Sequence, residues 1–256
     1  MHLVNEEFEN LLDNHYLTEN VSLLIYSLIK TTRPLKVIEF GAGYSTICIA
    51  KAFQDIQKEE FNPTINPQKW DFFRKRYYRN SESIYRQKLY ESYKLCFIED
   101  SLQTGDKYKP KLVTVDNSVE SGYNELNSFN TISSILEKLN LSQFVEFENS
   151  DWMDKIKNLN GSDKFDFIWI DIGTGLEYKE IFDILFPRLN PAGMIAFHNV
   201  ATNLASRCFL SEMKLKCKLS DEFEMMTLWE PHKKRQNSIV LFKKNCDYPI
   251  FNHIAK

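Results

Sequence analysis

Short apolar runs along this chain stop, one after another, at a side chain able to do chemistry. Lys36–Phe40 carries Glu39 just before its end, and Lys111–Val115 stops at Asp116. Gln143–Phe147 is followed closely by Asp151. Phe165–Ile170 stops at Asp171, and Met194–Phe197 stops at His198-Asn199. The stretches between them place apolar residues at helical spacing, as in Ile132, Ile135, Leu136 and Leu139, or Ile181, Ile184, Leu185 and Leu189. Short strands alternating with helices build βαβ units and a parallel sheet. In such sheets a ligand sits beyond the carboxyl ends of the strands, where these acids and the histidine collect.

Two further strands, near Phe223–Trp229 and Ser238–Lys243, are joined by the short polar loop PHKKRQN. That connection predicts one antiparallel strand at the end of a mostly parallel, doubly wound α/β sheet. Residues 1–34 read as N-terminal helices, with Leu17, Val21, Leu24, Ile25, Leu28 and Ile29 on one face and Pro34 as the break. Residues 35–256 form the main domain. Within it, 59–110 is too long for an ordinary connection and reads as a helical insertion. Its part 69–88 holds seven Lys/Arg against two acids, with aromatics interleaved. A lid over the site, a dimer contact and a nucleic-acid surface all have that composition, and the lid is the reading preferred here.

The bulk numbers narrow the class further. Apolar residues make up 43 %, enough for a sizeable core, and the net charge of −3 gives no global attraction for nucleic acid. The five cysteines are scattered, without a Cys-x-x-Cys pair, as expected of free thiols in a reducing compartment. The apolar run Val21–Ile29 is too short to cross a bilayer, and the acidic opening MHLVNEEFENLL has no signal-peptide core. A cytoplasmic protein without membrane contact is expected.

The stretch VIEFGAGYST, residues 37–46, decides the ligand. A dinucleotide fingerprint needs a third glycine where Thr46 stands, and an acid about 20 residues on. The third glycine is missing, the next acidic strand end, Asp116, lies far beyond that distance, and Glu39 just before the turn would repel a pyrophosphate. The arrangement suits a cationic adenosine ligand, and S-adenosylmethionine has an ammonium, a sulfonium, a ribose and an adenine. Gly41 and Gly43, with Tyr44 and Ser45 opening the next helix, let the backbone approach it closely. Glu39 is the candidate for the amino group. Asp116, with Asn117 beside it, is the candidate for the ribose hydroxyls, and Asp151 for the adenine amino group, with Trp152 over the ring.

VIEFGAGYST, KLVTVDNS, FVEFENSDW, FDFIWIDIGTGLEY and LFPRLNPAGMIAFHNV together make the chain resemble the class I S-adenosylmethionine-dependent methyltransferases, in the branch that includes small-molecule O-methyltransferases. The resemblance implies a Rossmann-like sheet of about seven strands and the cofactor roles just given. Three departures stand out. One is the insertion. Another is Thr174, where many relatives have a histidine. The third is His198-Asn199, where metal-dependent relatives have Asp-Asn. With a histidine in place of that carboxylate, a magnesium triad is incomplete, and no metal ligands are assigned.

The expected activity is methyl transfer to a small-molecule acceptor, at a hydroxyl oxygen. His198 is the candidate base and Asp171 its partner or a cofactor contact. The competing readings are a peptide or nucleic-acid acceptor reached through the basic insertion, a nicotinamide-dependent oxidoreductase, and a non-catalytic cofactor-binding protein. A homodimer is compatible with the aromatic insertion.

Overall fold

A computed structural model describes residues 19–60, 108–117, 129–230 and 238–245. The helices expected before residue 19, nearly all of the 59–110 insertion and the PHKKRQN loop lie outside the described residues. The chain divides into two compact units. Met1–Gln54 with Pro110–Cys246 carries the sheet, and Asp55–Lys109 with Asp247–Lys256 is the other. Of the second, the described part is short, and in it the Gln57 side-chain amide donates to the Tyr108 carbonyl at 2.8 Å.

The sheet unit runs α1 (Glu19–Thr32), β1 (Lys36–Phe40), α2 (Tyr44–Glu60, whose residues from Asp55 on count with the other unit), β2 (Lys111–Asp116), α3 (Phe129–Lys138), β3 (Val145–Asn149) and α4 (Trp152–Asn158). It continues with β4 (Phe165–Ile170), α5 (Tyr178–Leu185), β5 (Leu189–His198), α6 (Leu204–Leu219), β6 (Phe223–Trp229) and β7 (Ser238–Lys244). The seven strands lie in the order β3-β2-β1-β4-β5-β7-β6. β7 is antiparallel to both neighbours, and the β1–β2, β2–β3, β1–β4 and β4–β5 pairs are parallel. The expected doubly wound sheet, with one antiparallel strand, is present.

Strand periodicity sorts the side chains between two faces. Ile38, Phe40, Ile168, Ile170, Ile195 and Phe197 share one buried cluster with residues of α4, α5 and α6. Phe182 is its hub, with rings of Phe186, Phe197, Phe209, Phe223 and Phe242 within 4.8 to 6.4 Å of its own. Ile25 and Ile29 of α1 and Ile47 and Phe53 of α2 are fully buried outside that cluster, so these helices cover the opposite face. Glu39, Trp169, Ala196 and His198 alternate onto that second face.

The structure corrects several boundaries. α2 runs on to Glu60, past the expected start of the insertion. Gln143 and Phe144 belong to a 3-10 turn, so β3 starts at Val145. α5 ends at Leu185, and a 3-10 turn carrying Pro187 follows. The Asn190-Pro-Ala-Gly193 turn is not a connection before β5 but an irregularity inside it. Phe165 pairs with Leu189, and the next partner of β4, Phe167, pairs with Met194. Ala192 takes a positive φ of 62°, and Asp166 holds the distortion by accepting from the Asn190 side-chain amide at 2.6 Å.

Candidate active site

Three strand ends converge through their backbones. The Gly41 N–H donates to the Val115 carbonyl at 2.9 Å, and the Asp171 N–H to the Phe40 carbonyl at 3.0 Å. Gly41 has φ +99°, and a Cβ on it would come within 2.9 Å of the Asp171 carbonyl oxygen. This position therefore requires glycine twice over, for its dihedral and for its neighbour. A Cβ on Gly43 would meet nothing within 4 Å, so the turn opens to its surroundings there. The glycine turn between β1 and α2 thus stands directly against the end of β4.

Glu39 is fully buried, and three hydroxyls enclose its carboxylate. Ser45 Oγ donates to Oε1, Thr46 Oγ1 donates to Oε2 at 2.6 Å, and Thr114 Oγ1 donates to Oε2 at 3.0 Å. Thr46 Oγ1 also accepts the Gly43 N–H at 3.0 Å, so the cage is wired into the turn. Burial pushes the carboxyl up to about 7, against the lowering by the three hydroxyls, with the Asp171 charge adding a small rise. An enclosed carboxylate with this coordination shapes the turn; its contacts are the chain's own hydroxyls. Thr46 and Thr114 were missed by the sequence reading. The clue for Thr114 is its register opposite Glu39.

The other expected cofactor residues are placed as follows. Asp116 ends β2 and is half-buried, its Oδ2 accepting the Ala42 N–H at 2.9 Å. That bond fixes the carboxylate beside the glycine turn. Asn117 follows it, exposed. Tyr44 and Ser45 open α2, both buried. Asp151 is the N-cap of α4: its Oδ1 accepts from the Met153 and Asp154 N–H groups at 2.9 and 3.0 Å. Trp152 is half-buried and packs against the large core cluster.

Asp171 and His198 meet as the sequence reading proposed. His198 Nδ1 lies 2.8 Å from Asp171 Oδ1, with the imidazole fully buried and the Asp171 side chain 17 % exposed. Tyr178, whose phenol burial pushes upward, donates its hydroxyl to the His198 carbonyl at 2.9 Å. Tyr178 packs between Phe197 and Phe209, so it fixes the end of β5 from the core side. Beyond these strands, Asn203 caps α6 through the Ser206 N–H and also donates to the Thr174 carbonyl at 2.7 Å. Gly175, at φ +93°, allows that approach, since a Cβ there would lie 2.9 Å from Ser206. Among the described residues no three His, Cys, Asp or Glu side chains gather as a metal site, and no helix is long and apolar enough to cross a membrane.

The sheet order, the glycine turn and a carboxylate at the next strand end define a nucleoside-cofactor-binding α/β protein. Residues 38–200, more than half of the chain, match the family model described as "Methyltransferase domain", and the chain belongs to that family. By family and fold together it is a class I S-adenosylmethionine-dependent methyltransferase. Among solved structures, an O-methyltransferase from Bacillus cereus in complex with SAH matches with TM-score 0.59 and 14% identity, over 94% of this chain and 92% of that one. The O-methyltransferase TomG from Streptomyces achromogenes, involved in tomaymycin synthesis and solved with SAM, matches with TM-score 0.54 and 13% identity, over 89% of this chain and 80% of that one. At such identities the likeness is one of fold. The comparison with curated proteins finds no match.

Proposed function

We propose that the protein transfers the methyl group of S-adenosylmethionine to a hydroxyl of a small-molecule acceptor, with His198 as the base. The observation that carries this reading is the contact of the Asp171 end of β4, and through it the Asp171–His198 pair, with the glycine turn at Gly41.

The residues present fit the cofactor. Gly43 leaves its approach open, and Asp116 is held by a backbone bond at the end of the neighbouring strand, suited to ribose hydroxyls. Asn117 follows Asp116 just past the strand end and is exposed. The Asp151 cap and Trp152 at the start of α4 flank the end of β3, suited to the adenine. Glu39 serves the cofactor indirectly, by holding Ser45 and Thr46 and hence the shape of the turn. When bound, S-adenosylmethionine supplies a methyl carbon already activated by its sulfonium.

What remains for the protein is alignment and proton removal. Asp171, as a carboxylate, accepts from Nδ1–H of His198, which leaves the lone pair on Nε2. The proton that the acceptor oxygen loses is taken up at Nε2. Asp171 stabilises the imidazolium that forms, and Tyr178 keeps the strand end from shifting as it does.

The test is calorimetric titration with S-adenosylhomocysteine, with NAD as control, on the wild type and on Asp116→Ala and His198→Ala. Binding that Asp116→Ala weakens and His198→Ala leaves within a few-fold supports the division of roles. Preference for NAD, or equal loss in both variants, overturns it.

A further inference from the structure

Two nitrogens on one face of the sheet share a complementary need. Trp169 Nε1 and His198 Nε2 are both buried, and neither has a hydrogen-bond partner among the described residues. Both side chains are fully buried. Their rings lie 5.8 Å apart, centroid to centroid, and are tilted by 30°. The register explains the proximity: Trp169 pairs with Ala196, so His198 sits one step further along the same face of the adjacent strand.

Buried polar atoms without partners are uncommon, and each is costly. The indole N–H is a donor only. With Nδ1–H committed to Asp171, Nε2 is an acceptor only. A donor and an acceptor cannot both be satisfied by an apolar neighbour or by a cation. A single hydroxyl oxygen satisfies them together, accepting from the indole and donating to the imidazole. Such an oxygen bridges two nitrogens roughly 5 Å apart.

We propose that Trp169 and His198 form a site for one hydroxyl oxygen, supplied by an internal water or by the acceptor itself, and that Trp169 is a positioning residue for the base. This rests on the reading of His198 as the base. The enclosure of His198 gives the site its use. If water fills it, that water passes its proton to Nε2 and takes the proton that the acceptor oxygen loses. If the acceptor hydroxyl fills it, its proton goes to Nε2 directly and the indole N–H holds the oxygen in line. In either case the acid–base count closes without any further reagent.

The experiment is nuclear magnetic resonance of the indole N–H of Trp169 in the 15N-labelled full chain, assigned with Trp169→Phe. Spectra are taken without additions, with S-adenosylhomocysteine, and then with phenol, or with toluene as the control lacking a hydroxyl. A cross-peak from this indole proton to water in the protein alone identifies the oxygen as water. No water cross-peak, but a shift of the indole signal with phenol and none with toluene, assigns the oxygen to the acceptor. Absence of both effects, or equal shifts with phenol and toluene, overturns the proposal. Failure of S-adenosylhomocysteine to bind in the same samples overturns the methyltransferase reading instead, since the water contact is read without it.

Discussion

Replacing Glu39 by glutamine should remove a pH dependence of stability that the hydroxyl cage builds into the fold. The carboxyl is raised from 4.5 to about 7 by burial. Below about pH 4.5 it is protonated whether the chain is folded or not. Between there and about pH 7 the folded protein keeps a proton that the unfolded chain has released, so stability falls as pH rises. The gap from 4.5 to about 7, at about 1.4 kcal/mol per pH unit, amounts to about 3 kcal/mol. Above that window the loss is complete. Glutamine fits the same space without titrating: its oxygen keeps the Thr46 and Thr114 donors, and its amide NH2 faces Ser45 Oγ, which turns to accept. Urea denaturation of wild type and Glu39→Gln near pH 4.5 and near pH 8 reads the effect. The wild type should lose about 3 kcal/mol relative to the variant on going to the higher pH. Other titrating groups are common to both proteins and cancel in the comparison. A difference that stays constant to within about 1 kcal/mol would refute the reasoning and show that Glu39 is ionised throughout.

The same cage makes a binding prediction: the ratio of S-adenosylhomocysteine affinities between wild type and Glu39→Gln should not change from pH 6 to pH 8, about the range where this carboxyl titrates. A ratio that grows with pH would mean that Glu39 faces the ligand's ammonium. Gly41→Ala should destabilise by about 2 kcal/mol or more in urea melts, because it combines a left-handed φ with a 2.9 Å approach to the Asp171 carbonyl. His198→Ala should lower kcat by about 10²- to 10⁴-fold, measured as methyl transfer to an acceptor found by screening phenols and alcohols, with little change in cofactor affinity. Asn203→Ala should cost about 1 kcal/mol by thermal unfolding, through loss of the cap of α6.

The strands were legible because their apolar runs are short, continuous and separated by helical spacing. β4 and β6 were bounded to the residue from that pattern alone. β5 was misread because Asn190-Pro-Ala-Gly193 has the composition of a turn, while the contact that keeps it in the strand, Asn190 to Asp166, is 24 residues away in sequence. The Asp171–His198 pair was legible because both residues end neighbouring strands. The cage was not: threonine inside a strand looks like any β-branched residue, and only the register shows Thr114 facing Glu39. Asp151 carries two signals at once. Its place after β3 suggested an adenine contact, and its place before α4 makes it a helix cap.

Asn203 spans two segments that the sequence keeps 29 residues apart. One end of its amide starts α6, and the other holds the Thr174 carbonyl after β4. The rims beyond β4 and β5 are therefore riveted: they part only by giving up a bond from the residue that also starts a sixteen-residue helix.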